Sequence, residues 1–582
     1  MKLSLHHGDA KTQRDVSRFA LFAPSRLKRI LLWFLPITFL ALFFFFPLSR
    51  ILSLTFTIET FTRENWNIVQ RSLLFTFYQA ALSTFLTLLL GLPSAYLFAR
   101  YDFPGKTLLR ALTAIPFMLP TVVVAASFNA LFGQRGFINT ILQSSSSFFP
   151  LSPFNHLPHS PSFALHPFAA ILLAHVFYNT TIVIRIVSNA FSTLDPKIEG
   201  VARSLGADTL RTWRYVVFPL LRPAILASSL LVFLFDFTSF GVILLLGEAK
   251  YATLEVEIYT QAAKYLNLPL AALLSVIQLL CTLLFSILYS RYATHIAQHA
   301  PRSIAPLSPK TLLQKLFTTS FVLLLFVFYL LPLSALPFRS LFRLEADRGQ
   351  RGEVQYGFTI DYYRELFINR RGSVFYVPPI RAALNSLTYA SVTVMLSLLF
   401  GFPAAFALAK PTSLERILDP LIMLPLGSSA VMLGLGFIVS YGKWLSSPLL
   451  VPLAHTLVAL PFVIRALQPA IASIPDRLRQ AAASLGASPF EVWKTIDLPI
   501  LRRATLAAAT FAFTISLGEF GATLLLSRPD YPTIPVAIER FLSQPGGLNY
   551  GQAMAMATLL MLLTLIGILL IEKFRLPGAG EF

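Results

Sequence analysis

Long apolar runs alternate with short polar, mostly basic intervals along nearly the whole chain. A helix crossing the hydrocarbon of a bilayer needs about 20 apolar residues. Runs of that size fall near 30–52, 70–99, 109–132, 167–191, 223–246 and 266–291, and again near 315–338, 383–409, 418–441, 448–471, 504–527 and 547–572. The pattern predicts an all-α polytopic membrane protein with about 12 transmembrane helices. The first run follows a basic leader and has no small-x-small cleavage site, so it reads as an uncleaved first span.

The polar intervals repeat. "ARSLGA" at 202–207 returns as "AASLGA" at 482–487. At that offset of 280, His175 meets His455, Arg185 meets Arg465, Trp213 meets Trp493, Pro219 meets Pro499, and Phe240-Gly241 meets Phe520-Gly521. Upstream the offset grows: Gly91-Leu92-Pro93 meets Gly401-Phe402-Pro403 at 310. The first half therefore carries about 25–30 extra residues, visible as the Ser/Pro/Phe-rich insertion at 138–166. A duplicated unit of six spans keeps both halves in one orientation, so the chain reads as two parallel six-helix repeats. The division runs 1–29 (basic N-terminal segment), 30–292 (first half), 293–313 (linker), 314–573 (second half) and 574–582 (tail).

Lys and Arg in short loops set the orientation. Arg100, Lys106 and Arg110, then Lys197, Arg203, Arg211, Arg214 and Arg222, and in the second half Lys410, Arg416, Arg477, Arg479 and Lys494 mark one side as cytoplasmic, with both termini there. One external loop dissents, carrying Arg339, Arg343, Arg348, Arg351, Arg364, Arg370, Arg371 and Arg381 beside five acids; it could dock an acidic lobe of a soluble partner. The net charge of +20 is accounted for by this loop bias and does not call for nucleic acid. The one cysteine, Cys281, lies in an apolar run, which excludes an internal disulfide or a thiolate metal cluster.

Both copies of the repeated phrase lie between the fourth and fifth span of their half. Each opens on a helix-start signal, Asp195-Pro196 or Pro475-Asp476, and continues as a short amphipathic helix. Gly206 or Gly486 then allows a turn, and a second short helix through Trp213 or Trp493 is expected to stop at Pro219 or Pro499. Two such elbows suit a two-fold partner; basic loop helices lying on the bilayer are the plainer alternative.

The pattern resembles the EAA-type coupling loop of binding-protein-dependent ABC importer permeases (type I fold), and twelve spans in one chain is similar to the fused ferric-iron and thiamine transporter permeases. "LLLGLPSAYLFARYDFPGK", "ILLAHVFYN", "TLEVEIYTQA" and "SLGEFGATLLL" point the same way. The resemblance implies coupling residues Glu199, Ala202, Leu205, Gly206, Ala207, Trp213 and Pro219, with Ala481, Ala482, Leu485, Gly486, Ala487, Trp493 and Pro499 in the second loop. Where the family carries Glu, this chain has Gly200 and Gln480, and Glu199 stands one place early. It further implies two copies of a cytoplasmic ABC ATPase, an extracytoplasmic solute-binding protein, surrounding lipid, and a multi-pass place in a prokaryotic inner membrane.

No cofactor is expected on this chain. "FPGKT" at 103–107 is no phosphate loop, because Arg100 stands where the first glycine is needed, so ATP belongs to a separate subunit. No convergent nucleophile or metal set suggests an enzyme. Charges within spans need a reason. Asp236 and Glu519 lie in the fifth spans, where Asp236 aligns with Ser516 and Ser239 with Glu519. The resemblance implies that the fifth spans line the translocation path, which makes these four its candidates for a cation; pairing with a neighbouring Arg or capping of broken backbone is the equal alternative. His175 and His455, and His156, His159 and His166 in the insertion, are weak metal candidates, and Glu255 and Glu257 weak gate candidates. Arg185 and Arg465 read as snorkelling. The resemblance, together with intramembrane acids that suit a hard cation, puts ferric iron first and thiamine as the alternative, with an ion-gradient-driven secondary transporter as the rival from another class.

Overall fold

The computed structural model describes residues 26–57, 60–133, 135–139, 165–247, 250–296, 307–344, 357–368 and 378–574. Among these, ten helices are long and apolar enough to cross a membrane, or up to twelve if each of two bent helix pairs is one span. The remaining regular structure is short helices and one two-stranded ribbon, Phe342–Arg343 against Gly357–Phe358. The chain is an all-α polytopic membrane protein.

Local signals place the helix ends. Thr62 caps the second span, Arg63–Arg100, by accepting from the Asn65 N–H, and Glu64 and Arg100 complement the dipole at its two ends. Thr311 and Gln314 form a capping box at the start of Leu312–Leu341. The second and fourth spans of each half pack closely on small residues. A Cβ on Gly91 would stand 2.7 Å from Val183 Cβ, and one on Gly401 would stand 2.7 Å from Val463 Cγ1. These pairs obey the sequence offsets of 310 and 280, so the duplication is repeated in packing.

The halves interlock. Trp33 of the first span donates to Glu415 Oε1 in the second half (3.3 Å), and Phe39 stacks on Phe400 at 4.3 Å. In exchange, Tyr329 of Leu312–Leu341 packs on Phe177 of the first half (5.4 Å). Each half's leading helix thus lies in the other half's core.

The third spans, expected as continuous runs at 109–132 and 418–441, are broken. Lys106–Met118 ends before Leu119, held extended by the following Pro120, and Thr121–Phe132 starts anew. In the second half Ser413–Gly427 and Ala430–Tyr441 are separated by Ser428 and Ser429, and the Ser429 hydroxyl caps the second piece at Met432 N. This pair bends by 96°. The fifth spans, expected near 223–246 and 504–527, break too: Thr209–Phe237 gives way to Gly241–Leu246, and Phe490–Gly518 to Gly521–Leu526.

The stops expected at Pro219 and Pro499 do not occur. The elbow's second helix and the fifth span form one helix, Thr209–Phe237 or Phe490–Gly518. A π-turn, Trp213–Val217 or Trp493–Asp497, precedes each proline-containing turn. Its widened loop, in which Phe218 N–H bonds Trp213 O, passes the site where proline supplies no donor.

Candidate functional site

At the elbows, Pro196–Ser204 and Asp476–Ser484 form the first helices. Asp195 caps the first by accepting from Lys197 N (2.9 Å). Gly206 and Gly486 take φ of 86° and 90°, the left-handed conformation that ends a helix. Around them Ala207 N–H bonds Ala202 O (3.0 Å) and Ala487 N–H bonds Ala482 O (3.1 Å). The turn pushes Leu205 and Leu485 outward, 83% and 90% exposed. Leu210 and Phe490 stand exposed beside them. Trp213 tucks edge-on against Tyr96 (5.2 Å) at the end of the second span, whereas Trp493 stacks on Phe490 of its own elbow (6.0 Å). Pro219, Pro499 and Ala481 are exposed, with Ala202, Ala207, Ala482 and Ala487 half-buried.

Each elbow is tied to the tip of its second span by an ion pair. Arg100 pairs with Glu199, and Lys410 with Asp476. The Lys410 ammonium holds the Asp476 carboxyl below its ordinary range. Arg100 and Lys410 are equivalent at the 310 offset, but the acids are not: Glu199 aligns with Arg479, which itself bonds Asp497 at 2.8 Å. The linker joins here as well, since Leu307 N–H bonds Arg100 O (2.9 Å).

Some 23 residues along the same helix from Trp213, about 35 Å at 1.5 Å per residue, lies Asp236. It lines a cavity of about 220 Å³ between the halves. The helix breaks meet there: Phe240 and Phe520, both buried, approach at 5.4 Å between ring centroids. A Cβ on Gly241 would lie 2.5 Å from Thr121 Oγ1 and 3.3 Å from Phe520 Cδ1, so the absent side chain permits this closeness.

The four path candidates gather on the two histidines. His175 Nε2 lies 2.8 Å from Ser239 Oγ, and its Nδ1 lies 3.1 Å from Ser83 Oγ and 3.4 Å from Asp236 Oδ1. His455 Nδ1 lies 2.7 Å from Ser516 Oγ, and its Nε2 lies 2.7 Å from Thr523 Oγ1 and 3.2 Å from Glu519 Oε2. Ser516 in turn donates to Thr393 (3.3 Å). Each histidine thus meets one acid and one hydroxyl from the fifth span, in swapped order. Among the described residues no three His, Cys, Asp or Glu side chains converge as a metal site.

Sequence reasoning passed over several participants. Ser83 and Thr393 are equivalent at 310, a signal that was open to inspection. Asn179, which donates to Asp236 Oδ1 (2.7 Å), aligns with Ala459 and so gave no repeat signal. Glu255 is buried on the cavity wall, accepting from Gln278 (2.5 Å) and from Ser429 of the other half (2.6 Å); Glu257 instead accepts from Gln261. Arg465 pairs with Asp419 at 3.0 Å rather than snorkelling. His166 meets the Tyr251 hydroxyl at 3.3 Å, while His156 and His159 lie outside the described residues. In the arginine-rich loop Arg339 is buried over the Tyr550 ring and Arg343 pairs with Asp361, so neither is offered to a partner; Arg364 is exposed, and Arg348, Arg351, Arg370 and Arg371 lie outside the described residues.

Residues 87–300 match the family described as "Binding-protein-dependent transport system inner membrane component". The chain is 26% identical over 520 residues to the "Thiamine transport system permease protein ThiP" of Escherichia coli (strain K12), covering 88% of this chain and 89% of that protein. It is 26% identical over 508 residues to the protein of the same name from Brucella abortus (strain 2308), covering 86% of each. A "Probable ABC transporter permease protein y4fN" of Sinorhizobium fredii is 25% identical over 532 residues. The likeness runs through both halves of the chain, and the relatives are named as transport permeases. With its duplicated spans, its paired elbows and this likeness along nearly its full length, the chain is similar to the binding-protein-dependent permeases, the multi-pass inner-membrane components of ABC importers.

Proposed function

We propose that this permease imports thiamine, driven by two copies of an ATPase subunit that dock on the two elbows from the cytoplasm, with a solute-binding protein delivering cargo at the opposite end. The carrying observation is that the similar full-length relatives are named thiamine permeases. Ferric iron, the first expectation from the sequence, lacks that support and lacks a converging ligand set among the described residues.

The coupling reading is supported by the unbroken helix from each elbow to the cavity. A docked subunit that displaces Leu205 and Gly206 pulls on the rod that starts at Thr209, at whose far end Asp236 and the Phe240 break lie. Rocking the two rods apart separates Phe240 from Phe520 and opens the cavity to one side, and the reverse motion opens it to the other. Basic residues on the elbow side, with far fewer in the loop at 138–166, support a cytoplasmic placement of the elbows and of both termini.

The test is uptake of labelled thiamine and of labelled ferric iron by cells with and without this chain, with ATP-depleted and uncoupler-treated samples alongside. Chain-dependent, ATP-dependent thiamine uptake is the expected result. Iron uptake alone would overturn the cargo. Uptake that survives ATP depletion and fails with the uncoupler would overturn the coupling and restore the secondary-transporter rival.

A further inference from the structure

We propose that the central cavity contains a single subsite for a monovalent organic cation, built on Asp236 and Asn179 of the first half alone, and that Glu519 is a structural acid outside it. The inference deepens the importer reading and rests on it for the arrival of solute.

Three buried acids line the cavity: Asp236, Glu255 and Glu519. Two of them are saturated. Glu519 Oε1 accepts from Ala522 N–H (2.9 Å), and its Oε2 accepts from Thr523 N–H (3.0 Å) and the Thr523 hydroxyl (2.6 Å). These bonds cap the first turn of Gly521–Leu526, so the carboxylate holds the helix break together. Glu255 spends one oxygen on Gln278 and the other on Ser429.

Asp236 differs. The residue is 0% exposed, its Oδ1 accepts from Asn179 Nδ2 at 2.7 Å, and its Oδ2 has no partner. Asn179 is 1% exposed, and because its amide nitrogen faces Asp236, its own Oδ1 is also left without a donor. Buried acceptors without donors are costly and rare. Two of them on residues of one cavity wall call for a donor or cation that arrives with the solute. The second half cannot duplicate this, since Ala459 and Ser516 occupy the equivalent positions.

The remaining wall narrows the ligand class. Tyr178, Phe235, Phe240 and Phe520 line the same cavity, and ring faces attract a diffuse cation. At about 220 Å³ the space is smaller than the ~300–1,000 Å³ of a drug-sized pocket. That size suits a single charged ring of a solute. One carboxylate with an unpartnered oxygen balances one positive charge, whereas a trivalent metal would find no converging ligands among the described residues.

The test is equilibrium binding of radiolabelled thiamine to the purified permease–ATPase complex in detergent, for wild type, D236N, D236E, N179A and E519Q, with assembly checked by size exclusion. Asp236→Asn should raise Kd about tenfold or more, which is about 1.4 kcal/mol. Asp236→Glu should recover part of the loss, and Asn179→Ala should raise Kd severalfold. Glu519→Gln should leave Kd within about twofold while lowering the melting temperature, because it loses caps rather than cargo contacts. Wild-type affinity in D236N, or in N179A should D236N fail to assemble, would overturn the subsite. An E519Q complex that binds as weakly as D236N would overturn the division between the two acids. A wild-type complex that binds no thiamine would also overturn the subsite, while chain-dependent uptake by cells would leave the importer reading standing. Binding without uptake would do the reverse.

Discussion

Replacing Gly206 and Gly486 isolates the backbone requirement of the elbows from everything else about them. Both glycines have positive φ, and a Cβ built on either meets no atom within 4 Å. A side chain therefore clashes with nothing in this chain, and the cost is conformational. A left-handed position costs an ordinary L-residue about 1–2 kcal/mol, and Asn less, because its short polar side chain tolerates that region. One or two kcal/mol is a factor of about 5–30 in the population of the turned elbow. If the turned elbow is the docked form, coupled uptake should fall by about that factor in G206V or G486V, less in the alanine variants, and by less than about threefold in the asparagine variants. The assay is thiamine uptake per ATP hydrolysed in proteoliposomes, with ATPase co-purification scored in parallel. Uptake at wild-type level in both valine variants would refute the role of the turn. Asparagine as damaging as valine would show that bulk at the partner's surface, rather than φ, is what the position resists.

Leu205→Ser and Leu485→Ser should leave the melting temperature unchanged, since both side chains are exposed in this chain, yet lose retained ATPase subunit on purification; burial of a leucine is worth about 1.5–3 kcal/mol. Full retention of the subunit would count against docking at these knobs. Gly401→Ala should destabilise the second half by about 1–3 kcal/mol through overpacking on Val463, and the G401A/V463A double variant should recover stability because the added methyl then has room. An unrecovered double variant would mean that the close approach is not what matters there. Asp476→Asn should cost no more than about 1 kcal/mol near neutral pH, because the Lys410 pair is half exposed. With its carboxyl held low in the folded chain, Asp476 contributes stability above the ordinary carboxylate range of about 4, and loses it as pH falls further; the gap between D476N and wild type in a melting series should close there.

Apolar run length and the repeated intervals made the architecture legible, because a bilayer demands long uncharged helices and a duplication copies their order. What the pattern hid were the breaks. An apolar run looks the same whether its helix is straight or bent at Pro120 or Ser429, since hydropathy records composition and not the hydrogen-bond ladder. Pro219 and Pro499 misled in the other direction: proline marks a missing donor, but a π-turn before it can carry the helix through. Asp236 and Glu519 were legible as intramembrane acids. Their different partners were not, because Asn179 and Thr523 reach them from positions that share no repeat signal.

The swapped acids have one physical reading in common. At each histidine the fifth span offers two positions one turn apart, 236 and 239 or 516 and 519, and either can carry the acid while a hydroxyl fills the other. Satisfying the histidine needs only one acid in reach, so the duplicated framework tolerates the exchange. The consequence is asymmetric all the same. An acid at the later position stands at the N-terminus of the short helix beyond the break and is consumed as its cap; an acid at the earlier position lies inside the preceding helix and keeps a buried oxygen without a donor. Under the proposed coupling, a duplicated pair of elbows serves a path whose chemistry is one-sided. Moving the acids, with S239E/D236S in the first half, should therefore cap Gly241–Leu246 and close the first half's open oxygen, converting its wall to the saturated kind seen around Glu519. Thiamine affinity should then fall as in D236N while thermal stability holds or rises; a variant that kept wild-type affinity would break the link between helix capping and cargo.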